Sequence, residues 1–207
     1  MTNLSAAREL RAIAIGGSAG SVDALGTLLP ALRADAGVAV FIVVHLPRER
    51  SSMLVDIFSR RSALTLVEAE DKQPIEPGTV YFAPPDYHLL VDEGPALSLS
   101  ADELVHYSRP AIDVLFEAAA DVYGPALLGV VLSGANEDGA AGLAAVKHRG
   151  GWTVVQDPQE AASSIMPRAA LAAAPDSEVL ALAELAKLLS AVRDGQYQPA
   201  SYLGSAP

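Results

Sequence analysis

Three residues of this chain could carry out nucleophilic chemistry if the fold gathered them: Ser18, His45 and Asp138. A serine hydroxyl attacks a carbonyl when an imidazole takes its proton and a carboxylate holds that imidazole in place. Ser18 lies in Gly16-Gly17-Ser18-Ala19-Gly20, which fits the G-x-S-x-G pattern of a sharp strand-to-helix turn. His45 closes the run Val43-Val44-His45-Leu46-Pro47, and Asp138 sits in Gly134-Ala135-Asn136-Glu137-Asp138-Gly139. Each has a plainer reading. Ser18 fits a helix N-cap or a phosphate-binding turn. His45 fits a strand-end histidine bonded to backbone, and Asp138 fits the N-cap of the helix that follows it.

The elements around them decide between these readings. Ala12–Ile15, Val38–Val44, Ala126–Leu132 and Trp152–Val155 are short, continuous apolar runs, the mark of strands covered on both faces in a parallel sheet. Leucines at helical spacing over 21–34, and similar patterns over 50–61, 110–122, 140–148, 169–174 and 180–192, predict the intervening helices. Alternating strands and helices give an α/β fold: a doubly wound, mostly parallel sheet with helices on both faces. The segments 64–67, 79–83, 88–91 and 96–99 are separated by Pro, Gly and Asp and predict an appended antiparallel hairpin region. The tail from Gln196 is expected to fray. In such sheets ligands bind at the carboxyl ends of the strands. Ser18, His45 and Asp138 each follow a predicted parallel strand, so all three fall on one edge. Their chain order differs from the Ser, Asp, His order of α/β-hydrolases.

Composition narrows the classes further. The chain has 207 residues, 51% of them hydrophobic, and a formal net charge of −11. That is enough apolar material for one sizeable domain. The acidic balance argues against a nucleic-acid partner, the basic residues Arg48, Arg50, Arg60 and Arg61 being the one local cluster. There are no cysteines, hence no disulfides or thiolate metal sites. No metal-ligand spacing, P-loop or dinucleotide fingerprint occurs, so no metal and no cofactor is expected. The absence of a signal-peptide pattern and of a spanning apolar stretch predicts a cytoplasmic protein without membrane insertion.

Several segments, in order, resemble the catalytic domain of the chemotaxis protein-glutamate methylesterases, the CheB family. They are Ile13 through Gly20, Val44-His45-Leu46-Pro47, Tyr81 through His88, Ser108 through Phe116, Gly129 through Gly142 and Met166-Pro167-Arg168. The likeness runs over about residues 11–193. It implies a catalytic domain at 11–193, an N-terminal extension at 1–10, a C-terminal tail at 194–207, and no receiver domain in this chain. It also implies a serine hydrolase that demethylates glutamate methyl esters on the cytoplasmic helices of methyl-accepting chemotaxis receptors or a related signalling protein. Methanol would be released; some members of the family also deamidate receptor glutamines. The family's nucleophile, base and aspartate fall on Ser18, His45 and Asp138, and its backbone oxyanion donor on Ala135, with Ala19 as second donor. His106, Tyr107, Arg109 and Met166 are candidates for substrate binding; a capping and packing cluster is the alternative for His106, Tyr107 and Arg109. His88 and His148 are expected to be structural or surface residues. The chain departs from the usual family pattern at Ser21, Ala135 and Asn136-Glu137. Two rival functions stay open: a non-catalytic docking module of the same fold, and an esterase acting outside chemotaxis.

Overall fold

A computed structural model describes residues 7–45 and 53–198. In chain order the elements are β1 (Arg8–Glu9), β2 (Ala12–Gly17), α1 (Ser21–Leu28), β3 (Ala39–Val44), α2 (Leu54–Phe58), β4 (Thr65–Glu68), β5 (Thr79–Phe82), β6 (His88–Val91), β7 (Leu97–Ser100), α3 (Ile112–Tyr123), β8 (Leu127–Val131), α4 (Ala140–His148), β9 (Trp152–Gln156), α5 (Ile165–Ala173), β10 (Glu178–Leu180), α6 (Leu182–Ser190), β11 (Val192–Arg193) and β12 (Gln196–Tyr197).

Seven strands form one sheet in the order β10-β9-β8-β2-β3-β5-β4, and every pairing in it is parallel. The central strands β2, β3 and β8 are buried at every residue. Side chains alternate between faces along a strand, so a strand with apolar residues at every position feeds two cores. Ile13, Ile15, Val40, Ile42 and Val130 pack with leucines of α1 and α6 on one face. Ala12, Ala14, Phe41, Val43 and Val131 pack under α3, α4 and α5 on the other. The result is a three-layer sandwich in which the chain reverses direction at β2, whose neighbours β3 and β8 are reached by connections of opposite sense. Such a switch point opens a crevice at the carboxyl ends of the strands.

The predicted hairpin region is half as large as expected. Only β6 and β7 pair antiparallel there; β4 and β5 join the parallel sheet. Thr79–Phe82 is buried at all four residues, which suits an interior strand rather than an edge hairpin. Residues 69–78 cross between the two parallel strands, with Ala69 buried in the second core. The start of the tail is also tied down further than expected, its residues 199–207 lying outside the described ones: β12 pairs with β1 and β11, and Tyr197 is buried against Trp152, so residues on either side of the anticipated boundaries at 10 and 193 share one small sheet. The first predicted helix ends at Leu28 and continues as one 3-10 turn, because Pro30 cannot donate to an α-helical ladder. The predicted helix over 50–61 is observed as α2, its first residues lying outside the described ones.

Candidate active site

Ser18 follows β2 by one residue. Its carbonyl accepts the backbone N–H of Ser21 at 3.0 Å and the Ser21 hydroxyl at 2.6 Å, closing the turn Ser18-Ala19-Gly20-Ser21. Gly20 has φ 82° and ψ −5°, the third-position geometry of a type II turn, which a side chain would strain. The Ser18 N–H is spent on the carbonyl of Ser133 at 2.9 Å. The Ser133 hydroxyl in turn donates to the carbonyl of Ala19 at 2.6 Å, and its N–H to Gln156 Oε1 at 2.9 Å. Ser133 thus rivets the turn after β2 to the end of β8. Ala19 and Ala135, the two expected oxyanion donors, are exposed on these adjoining turns.

His45 extends β3 by one residue, its N–H bonded to the carbonyl of Gly17 at 3.1 Å. Its Nε2 lies 2.8 Å from Asp138 Oδ2, with side-chain exposure of 12% for the histidine and none for the aspartate. Asp138 is not the N-cap of the helix that follows it; that place belongs to Gly139. Its carboxylate instead receives the first N–H groups of α3, Ile112 N at 2.7 Å on Oδ2 and Asp113 N at 2.9 Å on Oδ1. A buried carboxylate with three donors at the positive end of a helix is satisfied as an anion. Since a carboxylate only accepts, His45 must carry its proton on Nε2, which leaves Nδ1 as the lone-pair nitrogen. Nδ1 lies 3.5 Å from the Asn136 amide nitrogen. Ser18 is half-buried, and among the described residues its Oγ makes no hydrogen bond to the ring.

The favour is returned by α3. Asp113 is buried and accepts the Gly142 N–H of α4 at 2.6 Å, so each helix start is held by a carboxylate from the other's neighbourhood. Burial pushes the Asp113 pKa up and the nearby Asp138 charge adds to this, while the Gly142 and Gly139 amides and His106 oppose it. His88, buried, sets the level of the α3 start: Ala111 N–H donates to its Nδ1 at 3.2 Å, and its Nε2–H donates to the carbonyl of Glu103 at 3.0 Å. That is a structural role, as expected.

The substrate-binding candidates divide. His106 and Tyr107, with φ of 48° and 60°, form the two central residues of a tight turn between Val105 and Ser108, whose backbones bond reciprocally. His106 Nε2 is 3.3 Å from Asp113 Oδ2 and its Nδ1 is 3.8 Å from Glu137 Oε1, which brings this tip against the Asp138 turn. Tyr107 is 95% exposed. Arg109 is committed inside the molecule: its guanidinium meets Asp86 at 2.9 Å and the carbonyls of Ala101 and Asp102 at 2.7 and 2.8 Å. Met166, the second residue of α5, is fully buried in the core, with its N–H on the carbonyl of Gly134 at 3.0 Å. Arg109 thus clamps the loop before α3, and Met166 backs the Gly134 turn from within the core. Sequence reasoning missed Asn136, Ser133 and the α3 amides. Of these only α3 left a signal, in the Pro110 that precedes a helix start. Among the described residues no group of three or more His, Asp or Glu could hold a metal ion, and no helix is long and apolar enough to cross a membrane.

Known proteins share this fold. The crystal structure of the Thermotoga maritima CheB methylesterase catalytic domain superimposes with a TM-score of 0.81 at 28% identity, covering 86% of this chain and 98% of that one. A Leptospira interrogans relative is 45% identical over 177 residues, 86% of this chain and 92% of its own length. The protein-glutamate methylesterase/protein-glutamine glutaminase of Symbiobacterium thermophilum is 36% identical over 186 residues, 89% of this chain but 51% of that longer protein. The family described as CheB methylesterase matches residues 13–189, and this chain belongs to it.

Proposed function

We propose that this protein is a protein-glutamate methylesterase in which Ser18 is the nucleophile, His45 the general base and Asp138 the residue that orients the base. One observation carries the assignment of roles: His45 Nε2 is held at 2.8 Å by a fully buried Asp138, on the sheet edge where Ser18 also lies. With Nε2 locked as a donor, Nδ1 takes the Ser18 proton as Oγ bonds to the ester carbonyl carbon. The electron pair moves to the carbonyl oxygen, where the N–H groups of Ala19 and Ala135 receive it. The imidazolium then returns the proton to the departing methoxide, releasing methanol, and water activated by His45 frees the glutamate. Donors placed at a developing oxyanion are worth about 10²–10³ in rate each.

The same acyl-enzyme forms from a glutamine, with ammonia as the leaving group, and relatives carry the glutaminase name beside the methylesterase one. The substrate in this reading is a methylated helix of a cytoplasmic chemoreceptor region, and the protein works in the cytoplasm. Arg60 and Arg61, exposed after α2, would offer local positive charge to an acidic helix; Arg48 and Arg50 lie outside the described residues. The decisive experiment is methanol release from a methylated receptor fragment by the Ser18→Ala variant. Loss to background is expected; turnover equal to the parent would remove Ser18 from the mechanism.

A further inference from the structure

One contact at the site has no part in the three-residue scheme. The Asn136 amide nitrogen sits 3.5 Å from His45 Nδ1, and Asn136 Oδ1 is buried with no hydrogen-bond partner among the described residues. A buried amide oxygen without a donor costs free energy, so its persistence asks for a state in which it is used. The protonation of His45 supplies that state. While the ring is neutral, Nδ1 is a bare lone pair, and only the NH2 end of the amide can face it. Once Nδ1 has taken a proton it becomes a donor, and the NH2 end is then the wrong partner. A half-turn of the amide about its terminal torsion exchanges nitrogen for oxygen at nearly the same place and brings the orphaned Oδ1 onto Nδ1–H.

We propose that Asn136 is a two-state positioning residue for His45, donating to Nδ1 in the resting enzyme and accepting from Nδ1–H when the imidazolium forms. This rests on the reading of His45 as the base for Ser18. In the resting state the amide competes with the Ser18 hydroxyl for the same lone pair; in the charged state it stabilises the intermediate. The two effects oppose each other in rate, and their strengths decide the sign. The resting contact is long and neutral, whereas a hydrogen bond to a charged partner is roughly twice as strong as a neutral one. Removing the amide is therefore expected to cost activity, by about tenfold in kcat with KM little changed, a tenfold loss being the scale of one such bond.

Among the described residues, the other groups around the ring are few. Asp138 touches Nε2 from the turn before α4; Asp113 acts on Asp138 from α3; His106 and Glu137 lie one contact further out. All are retained in the variants below, so differences report on residue 136.

The test uses the full chain with a 15N-labelled histidine ring, comparing the parent with Asn136→Ala and Asn136→Asp. At a pH where the ring is neutral, the Nδ1 resonance of Asn136→Ala should move toward that of a nitrogen with a free lone pair. Asn136→Asp offers only acceptors, which favour the charged ring, so its methylesterase activity should need a higher pH than the parent's, while that of Asn136→Ala should not. Asn136→Ala is checked for a parent-like melting temperature; if it fails that check, the NMR and pH comparisons are made on Asn136→Asp alone. Nδ1 resonances unchanged in every folded variant, or a kcat for Asn136→Ala at or above the parent's, would overturn the proposal. A resonance that moves as stated in a protein whose Ser18→Ala variant still releases methanol would instead overturn the reading of Ser18, so the two failures are distinct.

Discussion

At the scale of single residues, the site is an exercise in fixing one tautomer. Asp138 accepts from Ile112, Asp113 and His45, three donors and no acceptor, so the carboxylate admits a histidine only with its proton on Nε2. Replacing it by asparagine should be costly for a reason read directly from these contacts. The new NH2 group has to face one of three donors, and the easiest relief is for His45 to move its proton to Nδ1. The nitrogen needed by Ser18 would then be blocked. A fall of about 10³–10⁴ in kcat is expected for Asp138→Asn, by analogy with the same substitution in serine proteases, measured as methanol release per turnover. Arg109 shows what residue type alone leaves open: a guanidinium near a predicted site suggests a substrate clamp, and in the fold its donors meet Asp86 and two carbonyls.

At the scale of elements, the site depends on α3 and α4 starting within reach of each other's carboxylates. Asp138, ahead of α4, holds the first amides of α3, and Asp113, in the first turn of α3, holds Gly142 of α4. Gly139 makes this possible. Its φ is 93°, and a Cβ there would come within 2.7 Å of Ile112 Cγ2. Gly139→Ala thus adds backbone strain and pushes against the residue whose N–H binds Asp138. It should destabilise the fold by about 1–3 kcal/mol, seen as a lower urea midpoint at unchanged slope, and should lower kcat at temperatures where the protein remains folded. The cross-held helix starts also explain which element readings succeeded. Ala140–His148 is observed with its predicted bounds, and Pro110–Val122 begins two residues late, at Ile112, where the Asp138 carboxylate meets it.

At the scale of the whole molecule, burial of carboxylates couples stability to pH. Asp113 has its pKa raised above the ordinary 3.8, mainly by burial and then by the Asp138 charge. Folding therefore favours its protonated form. The stability it contributes is complete below the ordinary value and is lost as pH rises through the raised one. Asp113→Asn removes that loss and keeps an oxygen for Gly142 N–H. Relative to the parent, the variant should gain stability across this window and then hold a constant difference at higher pH, checked by urea unfolding at several pH values. Much of this molecule was legible in the sequence. Short apolar runs that feed two faces are the mark of interior parallel strands, so the sheet and the edge carrying Ser18, His45 and Asp138 followed from the unbroken apolar character of 12–15, 38–44 and 126–132. Local pattern could not rank the weaker segments: 64–67 and 79–83 look like hairpin strands until the sheet takes them, since pairing partners lie far apart in the chain. Which nitrogen of His45 is free, which helix Asp138 caps, that Met166 lies under the site and that Asn136 stands at Nδ1 were decided by the tertiary structure alone. Each depends on contacts between separate segments, from 25 residues apart for Asp138 and α3 to 93 for His45 and Asp138, and no short-range pattern of residue types encodes those.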